Sequence, residues 1–205
     1  MVRTDNYLIQ ARQAKACFLT YDAENLAKKL NAKLDSDYLY TALFHQDYRI
    51  SRKTGDLERL KGGAWVDGNS YKEVMTLLDL VCDSQDHRFV SGRWKDMQSF
   101  GHQFHQALLE SPRDPWAEAF QNDLPGFRRG CLALGGTPLP ISDAAYAIEV
   151  FDGLPVAIQL WLGDEEFPPN LRLLWDENAG MYLRYETMFF AKGLLLDWIR
   201  ERMHE

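Results

Sequence analysis

Residues 145–175 read AYAIEVFDGLPVAIQLWLGDEEFPPNLRLLW, and this stretch decides the fold class. Apolar and polar side chains alternate in its first part, which is the period-2 pattern of a half-buried strand and predicts one at residues 146–150. More continuous apolar runs predict strands at residues 156–162 and 171–175. No helical pattern separates these strands, so the sheet is expected to be mainly antiparallel.

Period-3.6 patterns predict helices in much of the remaining chain. Ser70 and Glu73 form the signature of a capping box, which marks a helix start. The helices expected to cover the sheet span residues 71–81, 100–109 and 188–199.

The order of strands and helices along the chain shows no regular βαβ alternation. It predicts an α+β fold with a mainly antiparallel, curved sheet, which also includes residues 38–44 and is covered by helices. A chain of 205 residues has the size of one ordinary domain. We therefore expect a single domain over residues 1–205, with an N-terminal helical segment at residues 1–34.

Composition and charge argue against several classes of protein. The chain has 23 Lys and Arg against 30 Asp and Glu, which gives a formal net charge of −7. This acidic balance argues against a nucleic-acid binder and against a polybasic binder of membrane surfaces. No apolar run approaches the ~20 residues of a membrane span, and no secretory signal is recognisable. A cytoplasmic location is expected.

Cysteine and histidine spacing offers little for metal binding. Cys17, Cys82 and Cys131 are far apart and form no Cys-x-x-Cys pair, so buried thiols are expected rather than a zinc ribbon or an Fe–S cluster. His102 and His105 are three residues apart, a spacing that can place both rings on one face of a helix. A metal site there would need further ligands from elsewhere in the chain, and none is predicted.

The densest group of charges is the turn at residues 163–169, which holds three consecutive carboxylates. Two interpretations stay open. In the first, Asp164 and Glu166 accept hydrogen bonds from the backbone of the turn, and Phe167 folds back onto the core. In the second, the carboxylates of the turn bind a hard cation, or Asp164 and Glu166 carry out acid–base chemistry with Asp143 as a further candidate.

Trp161 and Asp176 lie on the two strands that flank this turn. Trp161 is expected to fill the core or to line a surface for a partner. If the two strands pair as a hairpin, the turn and Asp176 lie at opposite ends of the sheet. That geometry argues against one site that unites all of these carboxylates.

Several of these residues belong to a pattern that resembles a known family, the bacterial domain of unknown function 3786. The pattern is Ser142-Asp143-Ala144-Ala145-Tyr146, Trp161-x-Gly163-Asp164-x-Glu166-Phe167-Pro168, Leu174-x-Asp176 and Tyr182-Leu183-x-x-Glu186, with weaker matches at Phe44-x-x-x-Tyr48 and Gly135-Gly136. The resemblance covers residues 38–205. Some members of the family resemble fusions to a four-cysteine Fe–S domain in anaerobic bacteria, which implies a link to redox or metallocofactor metabolism.

Two functions are compatible with the sequence. We favour a non-catalytic binding or accessory protein of the bacterial cytosol, because no nucleophile–base pair, metal-ligand spacing or phosphate loop is recognisable. A protein partner and a homodimer are the associations expected of it. The alternative is an enzyme, or a protein that binds a small ligand or metal, with a carboxylate-based site around Asp164 and Glu166. The sequence predicts no particular cofactor.

Overall fold

Two antiparallel sheets form the scaffold of the computed structural model, which describes residues 2–101 and 114–204. The first sheet has the order β1-β2-β3-β4, and the second has the order β5-β9-β8-β7-β6. The strands are β1 (Tyr38–Leu43), β2 (Gln46–Ser51), β3 (Leu57–Lys61), β4 (Ala64–Asp67), β5 (Trp94–Asp96), β6 (Thr137–Pro138), β7 (Ala144–Phe151), β8 (Leu154–Trp161) and β9 (Asn170–Asp176).

Helices pack against one another and against the second sheet. They are α1 (Val2–Phe18), α2 (Ala23–Leu30), α3 (Tyr71–Asp83), α4 (Pro115–Asn122), α5 (Leu124–Ala133) and α6 (Tyr185–Arg202). The capping box at the start of α3 is present, with Ser70 and Glu73 bonding to each other's backbone. The last helix, α6, packs against both α3 and α5.

The structure confirms the α+β fold and the antiparallel pairing of its strands. The strands predicted at residues 146–150, 156–162 and 171–175 and the helices predicted at 71–81 and 188–199 are present. The helix predicted at residues 100–109 lies mostly outside the described residues. The strand predicted at 38–44 exists, but its placement in the same sheet as the other three is wrong, because it pairs only within the first sheet.

The tip of the β1–β2 hairpin joins the two sheets. Phe44 and His45 form this two-residue turn, and both have positive φ angles, 49° and 58°. The Phe44 N–H donates to the carbonyl of Val150 at 2.9 Å, where the pairing of β7 with β8 is interrupted by a register shift. The Phe44 ring is buried and meets Trp198 of α6 edge-on at 5.8 Å. This turn therefore connects the first sheet, the second sheet and α6.

A glycine at the end of α5 makes room for the same turn. Gly135 has φ +72°, and an added Cβ would lie 2.6 Å from the His45 ring. Both the backbone conformation and the close approach thus require glycine at this position. The weaker matches of the sequence pattern, near Phe44 and Gly135, meet here in space.

The described residues include no helix that is both long and apolar enough to cross a membrane.

The three cysteines differ in exposure, and this predicts their reactivity. Cys82 and Cys131 are buried as expected, but the same expectation is wrong for Cys17, which is exposed on α1. Burial raises the pKa of Cys82 to about 12 and also raises the pKa of Cys131, which suppresses the reactive thiolate.

We expect a thiol reagent to label one cysteine quickly in the native protein and all three in denaturant. Cys17→Ser should abolish the fast reaction, and a fast reaction that survives this change would contradict the structure.

Candidate functional site

Residues 161–169 comprise Trp161, the last residue of β8, and the loop that joins β8 to β9, and they carry most of the candidate residues. The two strands pair as an antiparallel hairpin, and Trp161 opposite Asn170 is the last pair before the loop. The loop therefore extends from one end of the second sheet, and the pairing of β8 with β9 holds its first and last residues close together.

Asp164 organises the backbone of this loop. One of its carboxylate oxygens accepts the N–H groups of Glu166 and Phe167, each at 2.8 Å. The Asp164 N–H donates in turn to the Phe167 carbonyl at 2.9 Å. The hydrogen bonds from Phe167 and Glu166 hold the pKa of Asp164 below its usual range. Asp164 is therefore ionised at neutral pH and serves as an acceptor within the turn.

Phe167 points away from the core, so the prediction that it folds back is wrong. Its side chain is 67% exposed. The two ends of the loop approach closely at Gly163, where an added Cβ would lie 2.6 Å from the backbone nitrogen of Pro169. Phe167 also closes the turn with its own N–H and carbonyl groups. The ring is left in solvent at the tip.

Two polar side chains from other elements hold the base of the loop. Asp143, just before β7, accepts the N–H of Leu162 at 2.9 Å. Gln121 on α4 accepts the N–H of Gly163 through its side-chain oxygen. Sequence reasoning named Asp143 but missed Gln121, whose role depends on a contact 42 residues away and which has no local sequence signal.

The loop presents apolar and acidic side chains together to solvent. Trp161 is 45% exposed and Leu162 is 39% exposed, and Glu165 and Glu166 are exposed as well. We call the exposed side chains of residues 161–169 the loop surface, and they are Trp161, Leu162, Asp164, Glu165, Glu166, Phe167 and Pro168.

A shallow, open cavity of about 560 Å³ lies against the loop and is lined by Gln121 and residues 163–169. Trp161 is not part of its lining. Acid–base catalysis by two carboxylates needs environments that push their pKa values apart, usually through burial of one of them. Asp164 and Glu166 are both exposed, so neither carboxylate has a buried environment.

A family comparison identifies the chain. A sequence model described as "Domain of unknown function (DUF3786)" matches residues 22–198. The chain belongs to this family. The match runs from the N-cap of α2 into α6 and so includes both sheets and the loop surface, whereas α1 precedes it. No curated protein and no solved structure matches the chain.

Asp176 of this DUF3786 protein lies apart from the loop, at the opposite end of β9. Its side chain is 1% exposed. It accepts hydrogen bonds from the backbone and hydroxyl of Ser91 and from the backbone of Gly92 and Asn178. The structure therefore does not bring Asp176 together with Asp164, and it places Asp176 in a buried network that anchors the chain before β5.

The possible metal ligands of the DUF3786 chain form no metal site within the described residues. His102 and His105 lie outside the described residues. Within residues 2–101 and 114–204, no group of three or more His, Cys, Asp and Glu side chains is arranged to hold a metal ion.

Proposed function

We propose that this DUF3786 protein is a non-catalytic binding protein that uses the loop surface to bind a basic segment of a partner protein. The observation that carries the proposal is the exposure of Trp161, Leu162 and Phe167 in one short loop. Aromatic side chains are enriched in protein interfaces, and contiguous exposed apolar groups mark interaction sites. An exposed aromatic residue at a tight turn contributes little to the fold and is available for a partner.

The charge of the loop indicates the chemistry of that partner. Three consecutive carboxylates, Asp164, Glu165 and Glu166, accompany the apolar side chains, and residues 161–169 contain no Lys or Arg. The whole chain has a formal net charge of −7. Complementary charge steers association and suppresses wrong partners, so a segment with Lys or Arg beside apolar residues fits this surface.

The backbone of the loop supports the same proposal. Asp164 fixes the turn from within, and Asp143 and Gln121 hold its base. A loop that is already ordered loses less conformational entropy on binding. The exposed side chains are therefore presented on a preorganised support.

The alternative function is an enzyme or a small-ligand or metal-binding protein with a site at Asp164 and Glu166. The observation in its favour is the open cavity of about 560 Å³ beside these residues. Native mass spectrometry of the protein purified from its own host tests it. A retained metal or organic ligand that disappears in a variant with Asp164→Asn and Glu166→Gln would contradict the binding-protein proposal.

The family resemblance implies a link to anaerobic redox or metallocofactor metabolism, which stays a prediction. The cytosolic location and the homodimer expected from the sequence itself stay predictions as well. They do not alter the chemistry proposed for the loop surface.

Site-specific photo-crosslinking in the host cell tests the partner proposal. A photoreactive phenylalanine analogue replaces Phe167 in one strain and Phe89, which is 59% exposed, in a control strain. We expect a crosslinked partner from position 167 and none of that partner from position 89.

With the purified partner, Phe167→Ser and Trp161→Ser should each weaken binding about tenfold or more, and Phe89→Ser should leave it unchanged.

Two outcomes would contradict the proposal. One is a partner that crosslinks equally from both positions, or whose affinity does not depend on Trp161 and Phe167. The other is a crosslink from position 167 to a second copy of this chain, which would make the loop surface a homodimer interface instead.

A further inference from the structure

A second cavity, of about 370 Å³, is lined by residues outside the loop surface. It lies where one end of the first sheet meets the C-terminal end of α6. Its polar lining is mostly cationic, although the chain as a whole is acidic. The charged and amide side chains that line it are those of Gln46, Arg59, Lys61, Glu201 and Arg202.

Arg59 is the least satisfied of these groups. Its side chain is 16% exposed, and its nearest carboxylate oxygen, on Glu73, is 3.9 Å from Nε. That Glu73 carboxylate already accepts the hydroxyl groups of Tyr48 and Ser70. Within residues 2–101 and 114–204, the buried Nε of Arg59 has no hydrogen-bond partner. A buried donor without a partner carries the cost of desolvation, and the Arg59 side chain also lines the cavity.

Arg202 supplies a second guanidinium group to the same cavity. It donates to the side-chain oxygen of Gln46 at 3.1 Å, and its Cζ lies 5.5 Å from the centre of the Trp198 ring. Arg59 Cζ lies 5.3 Å from the same ring. The part of the chain that the structure describes provides no carboxylate within ion-pair distance of Arg202. Both guanidinium groups thus lie near the Trp198 ring, and Arg202 has no close counter-charge among the described residues.

The third cation, Lys61, is already paired at the rim of the cavity. Its Nζ lies 2.6 Å from a carboxylate oxygen of Glu201, and both side chains are substantially exposed. Glu201 is therefore the one lining group that would repel an anion. The three cations still exceed the two nearby carboxylates, Glu73 and Glu201.

We propose that this cavity binds the oxyanion group, a carboxylate or a phosphate, of a small molecule. A guanidinium group can bind both kinds of oxyanion with two parallel hydrogen bonds. The volume is in the range of small-molecule sites. The cavity is built from β2, β3 and α6 and shares no residue with the loop surface, so it is independent of the function proposed there.

Calorimetric titration of the full chain tests this site. The probes are inorganic phosphate and acetate, at constant ionic strength set by sodium chloride. We expect saturable binding of one probe per chain, and the stronger probe identifies the preferred oxyanion. Arg202→Gln should weaken that binding at least about tenfold, and Glu201→Gln should strengthen it.

Arg200→Gln is the matched control. Arg200 lies on the same helix, is 62% exposed and contacts Asp197 at 3.6 Å, and its replacement removes the same charge. It should leave binding unchanged. Circular dichroism checks that each variant is folded. Arg202 is the test position rather than Arg59, because replacing the more buried Arg59 is more disruptive to the fold.

The proposal is overturned if neither phosphate nor acetate binds the wild-type chain saturably. It is also overturned if Arg200→Gln and Arg202→Gln weaken binding equally, because the effect would then reflect overall charge rather than a site.

Discussion

Replacing Phe44 with alanine is expected to lower the free energy of unfolding by about 3–5 kcal/mol, whereas Phe167→Ala should leave it nearly unchanged. Phe44 is 1% exposed and Phe167 is 67% exposed. Both are phenylalanines at turns, and they differ strongly in burial. Removing the Phe44 ring leaves a cavity beside Trp198, with which it is in edge-on contact at 5.8 Å.

Urea unfolding of the two variants checks this prediction. The backbone of the turn adds to the expected loss of stability. Positive φ angles at two non-glycine residues cost free energy, which the surrounding contacts must offset. Without the ring, the hairpin tip loses its anchor on α6 while the strained backbone remains. Equal destabilisation by the two replacements, or a stable Phe44→Ala protein, would show that the hairpin tip does not join the sheets as described.

Much of the secondary structure could be predicted because its causes are local. The strands β7, β8 and β9 follow from alternating or continuous apolar runs in one stretch of sequence, and the start of α3 follows from Ser70 and Glu73, three residues apart. In such cases, the residues that determine the element are the residues of the element itself. The sequence pattern therefore contains the information that the prediction needs.

The arrangement of the strands in two sheets depends on contacts that local patterns do not contain. The apolar run at residues 38–44 predicts a strand but not its neighbour. It pairs only with β2, and its link to the second sheet is the hairpin tip at Phe44, which bonds to Val150 more than 100 residues later in the chain. Nothing in the residues around Phe44 predicts that distant partner.

In the candidate site, too, some features follow from local sequence and others depend on distant contacts. Asp164 bonds to backbone groups two and three residues away, and a carboxylate at the start of a turn predicts this role. The exposure of Phe167 is a property of the folded loop, which the local sequence pattern does not contain. Arg202 and Gln46, 156 residues apart, form part of a cavity that only the tertiary structure reveals.

Asp176→Asn is expected to lower the free energy of unfolding by about 3 kcal/mol or more at neutral pH. The buried carboxylate accepts four hydrogen bonds, from two donors of Ser91 and one each of Gly92 and Asn178. Hydrogen bonds to charged groups contribute about 1.5–3 kcal/mol each. An asparagine amide would place its own N–H groups against some of these donors, so more than one bond is lost.

The neighbouring Glu177→Gln is the control, since it removes the same charge one residue later. Glu177 pairs with Arg93 and Lys95 near the surface, where solvent screens ion pairs. Its replacement should cost much less than that of Asp176. Comparable losses from both would mean that the net charge of this region matters rather than the buried network.

The pH dependence of the Asp176→Asn effect follows from the direction of the aspartate pKa. Burial alone would raise the pKa of Asp176, but hydrogen bonds from Ser91, Asn178 and Gly92 outweigh it and lower the pKa in the folded protein. An unfolded chain protonates its aspartates near pH 3.9, to within about a unit. The carboxylate therefore contributes its full stabilisation above that pH and loses it as the pH falls through the lower folded value. Urea titrations from pH 7 down to about pH 2 should show the gap between wild type and Asp176→Asn constant at first and shrinking only in acid, and a gap that stays constant throughout would contradict an ionised Asp176 in the folded protein.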